Sequence, residues 1–118
     1  MLSANGGAAN WATAASVLRR AGMSTEAVLL DWVALRVALF DWLGTSGVAY
    51  EGTRDAIVAG MAALDGRLAA DLAFVYHVAT MAEWDETFGV TEAQARTVAD
   101  ASGRVLAAFQ SGWDREPK

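Results

Sequence analysis

The chain has 118 residues, of which 54% are hydrophobic and 19% are charged, and its formal net charge is −5. This length suits one domain with its own core, and the apolar fraction excludes disorder for most of the chain. Cysteine is absent, which excludes disulfides and thiolate zinc sites. The single lysine and the scattered arginines argue against a nucleic-acid interface, although folding can still gather a local arginine cluster.

The most hydrophobic segment spans residues 28–43 and contains two Trp, one Phe and only three charged residues. It is too short and too charged for a transmembrane helix, so we expect no membrane span. The N-terminus has no positive stretch followed by a long apolar run, so we expect no signal peptide and a cytoplasmic protein. An apolar surface on several sides predicts that this segment packs against more than one neighbour.

Helix start and stop signals predict an all-α fold, a single-domain bundle of four to five helices. Residues 1–9 are small and Gly-rich and predict a flexible N-terminal arm. Residues 10–112 are expected to form the helical bundle domain. Residues 113–118 are expected to form a short C-terminal tail.

Polar residues and glycines mark the expected helix ends. Asn10 is predicted to cap the first helix and Ser24 the second, which ends at Gly44. The third helix is predicted at residues 53–64 and the fourth at residues 67–84.

The clearest local signature is a capping box at residues 91–94, Thr-Glu-Ala-Gln, which predicts the start of a fifth helix running to Gln110. Four charged residues of alternating sign follow at a spacing of four: Glu92, Arg96, Asp100 and Arg104. Such a ladder favours a solvated helix face, and the alternative is a docking strip for a charged partner.

Three charges of the second helix point in different directions and have no opposite charge three or four residues away. They either lie at the rim of the bundle or pair across helices or across a dimer interface. Arg36 lies between Trp32 and Phe40, where its stem can rest on aromatic faces. The candidate interface residues are Asp31, Trp32, Arg36, Phe40 and Asp41.

The fourth helix carries the only histidine, His77, opposite an apolar stripe of the same helix. No carboxylate or arginine stands at helical spacing from His77, so we interpret it as a core or interface residue. We predict no catalytic residue, no cofactor and no metal site, since metal-ligand spacings are absent. If a small molecule binds, the candidate pocket is Phe74, His77, Met81 and Trp84.

Two stretches carry a resemblance to a known family. The first is Glu26-Ala27 followed by a long apolar helix with Ala34 and a Gly-containing loop. The second is a helix ending near Trp84, a short acidic loop and Gly-Val-Thr-Glu-Ala-Gln-Ala at 89–95. Together they resemble the HEPN superfamily of helical-bundle domains over most of residues 12–109.

The HEPN resemblance implies a bundle that often dimerises through its long helices. Many members are metal-independent RNases in toxin–antitoxin or anti-phage systems, and their activity rests on an Arg followed four to six residues later by a His. This chain lacks that motif, because the nearest arginine upstream of His77 is Arg67, ten residues away. The resemblance therefore implies a non-nuclease member that binds or assembles.

Three functions remain open from the sequence. The first is a non-catalytic HEPN-like protein acting through homodimerisation or docking of a protein partner. The second is a structural or assembly protein, such as a phage or particle adaptor, which uses the N-terminal arm and aromatic surfaces. The third is an enzyme or small-molecule binder with an aromatic pocket around His77.

Overall fold

The structure, a computed structural model, describes residues 4–115, with side-chain surroundings given for residues 7–110. Its elements are α1 (Ala4–Arg20), α2 (Ser24–Ser46), α3 (Gly52–Ala63), α4 (Gly66–Trp84) and α5 (Glu92–Arg115). Within residues 4–115 there is no strand, so the all-α bundle is confirmed. None of these helices combines the length and apolarity needed to cross a membrane.

The first helix begins earlier than the sequence predicted. The expected flexible arm covered residues 1–9, but α1 starts at Ala4, and residues 1–3 lie outside the described part of the chain. Ala8 is buried, and a Cβ built on Gly7 would lie 3.9 Å from Val37 Cγ1. The small side chains therefore let the first turns of α1 approach α2, which supplies the packing that a weak helix former needs.

The start of α2 differs from the predicted Ser24 cap. The residue before the helix is Met23, and no side chain caps this end. Gly22 adopts a left-handed conformation (φ 82°), and Met23 N donates to Leu18 O at 2.9 Å. This glycine closes α1 and leads directly into α2, so the chain turns without a polar cap.

The predicted end of α2 at Gly44 is two residues early. The helix continues to Ser46 and ends at Gly47, whose φ is 72°. Val48 N donates to Leu43 O at 2.9 Å, which closes the helix as a Schellman motif.

The capping box is confirmed in both directions. Thr91 N donates to Gln94 Oε1 at 2.9 Å, and Gln94 N donates to Thr91 Oγ1 at 3.0 Å. At the start of α4, Asp65 accepts from Leu68 N at 2.9 Å. The last helix extends to Arg115, so residues 113–115 of the expected tail are helical, and residues 116–118 lie outside the described range.

The central position of α2 matches its hydrophobicity. No residue from 27 to 43 is exposed, and α2 packs against α1, α3, α4 and α5. Three aromatic pairs join it to its surroundings, with centroids 5.4 to 5.5 Å apart: Trp32 with Tyr76 of α4, Phe40 with Tyr50 of the loop before α3, and Trp42 with Phe109 of α5. The helix is therefore the hub of the core.

The third helix reaches this core through Gly60. A Cβ built there would lie 2.6 Å from Leu39 Cδ1 and 3.3 Å from Leu72 Cδ2. Both leucines are fully buried, so α3 approaches α2 and α4 more closely than an alanine would allow.

Candidate functional site

The carboxylate of Asp31 forms a salt bridge within the bundle, with an arginine of another helix. Its Oδ2 accepts from Arg19 Nη1 of α1 at 2.9 Å, and its side chain is 6% exposed. Burial raises the pKa of Asp31 to about 6, while the charge of Arg19 and its hydrogen bond act in the opposite direction. The cross-helix alternative is therefore the one that the structure contains.

The other candidate interface residues lie in different environments. Trp32 is buried, and the Cζ atom of Arg36 lies 5.7 Å from the centroid of its ring. Phe40 is partly buried and stacks on Tyr50 with an interplanar angle of 5°. Asp41 is partly buried. These residues do not form one exposed patch, because Asp31 and Trp32 belong to the interior.

The candidate pocket residues occupy one open side of α4. His77 is exposed, so of the two locations that the sequence left open, core or interface, it does not occupy the core. Phe74 and Met81 are partly buried, and Trp84 is 78% exposed, more than any other large apolar residue of the described side chains. None of these four residues lines the cavities beside Arg19, Leu106 or Leu29, and two of the four are exposed, so we describe them as a surface.

This surface contains no charged residue. At about 100° per residue, seven side chains fall within one third of the helix circumference. We call them the α4 face: Ala70, Ala73, Phe74, His77, Thr80, Met81 and Trp84. The helix's carboxylates lie elsewhere, since Asp71 binds α5 and Glu83 lies beside α2.

The predicted charge ladder of α5 is solvated, as expected, but Arg104 pairs with another helix. Its Nε and Nη2 donate to the two carboxylate oxygens of Asp71 at 2.8 and 3.1 Å. These hydrogen bonds lower the pKa of Asp71. A bidentate pair between α4 and α5 is geometrically better than a pair along the helix, so it forms instead.

The acidic residues after α4 form a turn. Asp85 Oδ1 accepts from the backbone N and the Oγ1 of Thr87, at 3.0 and 2.6 Å. Within the described residues, no group of three or more His, Asp or Glu side chains is arranged to hold a metal ion.

A cleft that the sequence did not single out lies where α1, α2 and α5 meet. Its volume is about 230 Å³, and it is lined by Arg19, Arg20, Ser24, Glu92, Ala95 and Arg96. Three arginines from two helices thus meet at one cleft, although they are far apart in the sequence. The sequence analysis allowed for such a local arginine cluster but could not locate it.

No family model, curated protein or solved structure matches the chain.

Proposed function

We propose that the protein acts without catalysis, as a non-nuclease relative of the HEPN domains that associates through the α4 face. The observation that carries this proposal is Trp84, which is 78% exposed at the end of an uncharged helix face. Burying such a side chain at an interface is worth about 2–3 kcal/mol. The face has no charge to desolvate, so most of this gain would be retained on binding.

A second copy of the chain is the partner that this face fits best. An antiparallel pairing of two α4 helices about a two-fold axis at His77 places Trp84 opposite Ala70 and Met81 opposite Ala73. Large side chains then meet smaller ones on both sides of the axis, where the two His77 side chains face each other, and such interdigitation favours close helix packing. A two-fold interface joins the same patch on both copies, and this patch brings no like charges together.

The flanking charges favour the same arrangement. The pairing brings Asp85 and Glu86 of one copy towards Arg67 of the other, since these residues lie just beyond the ends of the α4 face. Opposite charges at the rim of an interface steer association and fix its register.

Trp84→Ala tests this function. We expect a self-associating wild-type protein whose dimer dissociation constant rises at least tenfold in the variant, because truncation of a large aromatic residue that is buried in an interface can cost about 2 kcal/mol or more. Sedimentation equilibrium measures the constant. Val58→Ala is the matched control, since Val58 is also exposed (60%) but lies on α3.

A wild-type protein that stays monomeric throughout the concentration series, with no change on Trp84→Ala, would overturn self-association. A protein that dimerises equally well in wild-type and Trp84→Ala forms would place its interface elsewhere. The aromatic-pocket function is not proposed, because His77 and Trp84 are exposed on the α4 face. The adaptor function is not proposed either, since no feature of the described residues favours it over self-association through the α4 face.

A further inference from the structure

The arginine-lined cleft brings three helix ends together at one end of the bundle. The last turn of α1 contributes Arg19 and Arg20, the first residue of α2 is Ser24, and the first turns of α5 contribute Glu92 and Arg96. The chain as a whole is acidic, with a net charge of −5, yet the ionic side chains lining this cleft are three cations and one anion.

We propose that this cleft binds a phosphate group. Guanidinium groups present planar pairs of donors that match the oxygens of a phosphate, and several of them around one cavity give both charge and geometry. The cleft, at about 230 Å³, is smaller than typical pockets for drug-sized ligands. It therefore suits a free phosphate ion or the phosphate of a small ester.

Two of the arginines are available to a ligand. Among residues 7–110 the salt bridges are Arg19 with Asp31 and Arg104 with Asp71, so Arg20 and Arg96 form none. Arg20 Nη1 has only a 3.4 Å hydrogen bond to Ser16 Oγ. Arg19 is half-buried and held by Asp31, which fixes one side of the cleft before a ligand arrives.

The start of α2 adds backbone donors to the same place. The helix has no side-chain cap, and among the described residues no acceptor bonds the backbone N–H groups of residues 24–26. Such groups carry the positive end of the helix dipole and favour an anion. Ser24 is the first of them, and it lines the cleft.

Titration of the wild-type protein with inorganic phosphate, followed by amide NMR, tests the site. We expect saturable shifts at residues 24–26 and 92–96, at an ionic strength held constant with chloride. Arg96→Gln is expected to weaken binding at least tenfold, in line with the loss of a charge-assisted hydrogen bond. Arg54→Gln, an exposed arginine on α3, is the matched control and is expected to leave the affinity unchanged.

Glu92→Gln is expected to change the affinity for phosphate in the opposite direction. Removing the one carboxylate that lines the cleft is expected to tighten phosphate binding, whereas a variant that merely disturbed the fold would weaken it. Tighter binding of phenyl phosphate than of phosphate would identify an ester as the ligand, and the reverse would identify the free ion. Equal affinities in wild-type and Arg96→Gln proteins, or shifts reproduced by chloride alone, would overturn the proposal.

Discussion

Asp31 is the residue whose ionisation the fold perturbs most clearly. Its pKa rises from 3.8 to about 6 because burial disfavours the carboxylate. Between these values the folded chain binds a proton that the unfolded chain has released. The free energy of unfolding contributed by Asp31 is therefore greatest below pH 4 and falls as the pH rises to about 6.

Arg19→Met tests the partner of this carboxylate. Removing the guanidinium leaves a buried charge without compensation, so we expect a loss of about 3 kcal/mol at pH 7. The loss should be much smaller near pH 4, where Asp31 is protonated in the variant. Urea unfolding across this pH range measures both values.

Arg54→Met is the control for the loss of one positive charge at an exposed position. Equal costs of Arg19→Met at pH 4 and pH 7 would contradict the assignment of the pH dependence to Asp31.

At the scale of elements, the sequence predicted helices where local chemistry defines their ends. The capping box at residues 91–94 predicted the start of α5 correctly, because its two side chains form hydrogen bonds to the backbone of their own segment. The start of α1 was missed because its Ala/Gly stretch is stabilised by packing on α2, which no local signal reports.

The candidate site was predictable only in part. Helical periodicity placed Phe74, His77, Met81 and Trp84 on one side of α4 correctly, but periodicity does not tell which side neighbouring helices cover. The arginine-lined cleft could not be predicted from the sequence, because Arg19 and Arg96 meet only where three helix ends pack together.

Gly60→Ala tests how tightly α3 is docked. Alanine improves helix propensity by about 1 kcal/mol, but its Cβ would overlap Leu39 in a fully buried region. Overpacking costs about 1–3 kcal/mol, so we expect a net loss of up to about 2 kcal/mol in urea unfolding.

Gly103→Ala is the matched control, because a Cβ at this exposed position in α5 meets nothing within 4 Å. It should stabilise the protein by about 0.5–1 kcal/mol. If both variants gained stability, the close approach at Gly60 would not be a constraint on the fold.

For the whole molecule, the proposed two-fold axis makes a geometric prediction. Helices pack with their axes about 8–10 Å apart, and the Cα atoms lie about 2.3 Å from each axis, so facing Cα atoms are about 3.5–5.5 Å apart. This range overlaps that of disulfides. The chain has no cysteine, so one introduced thiol reports the contact without interference.

We expect His77→Cys to form a disulfide-linked dimer under mild oxidation, as measured by non-reducing electrophoresis. Thr97→Cys, at an exposed position of α5 that is not part of the α4 face, should remain largely monomeric. Similar rates of crosslinking at both positions would contradict the register centred on His77, even for a protein that dimerises.

The three aromatic pairs of α2 have an optical consequence. Each pair holds α2 against a different part of the bundle: Tyr76 lies on α4, Tyr50 in the loop before α3, and Phe109 on α5. Aromatic rings held in fixed asymmetric surroundings produce near-ultraviolet circular dichroism, which vanishes when packing loosens while helices persist. Replacing one ring at a time would therefore separate the contribution of each aromatic pair to the near-ultraviolet spectrum. The three pairs can thus report the packing of α2 against α4, the loop before α3, and α5 without an added label.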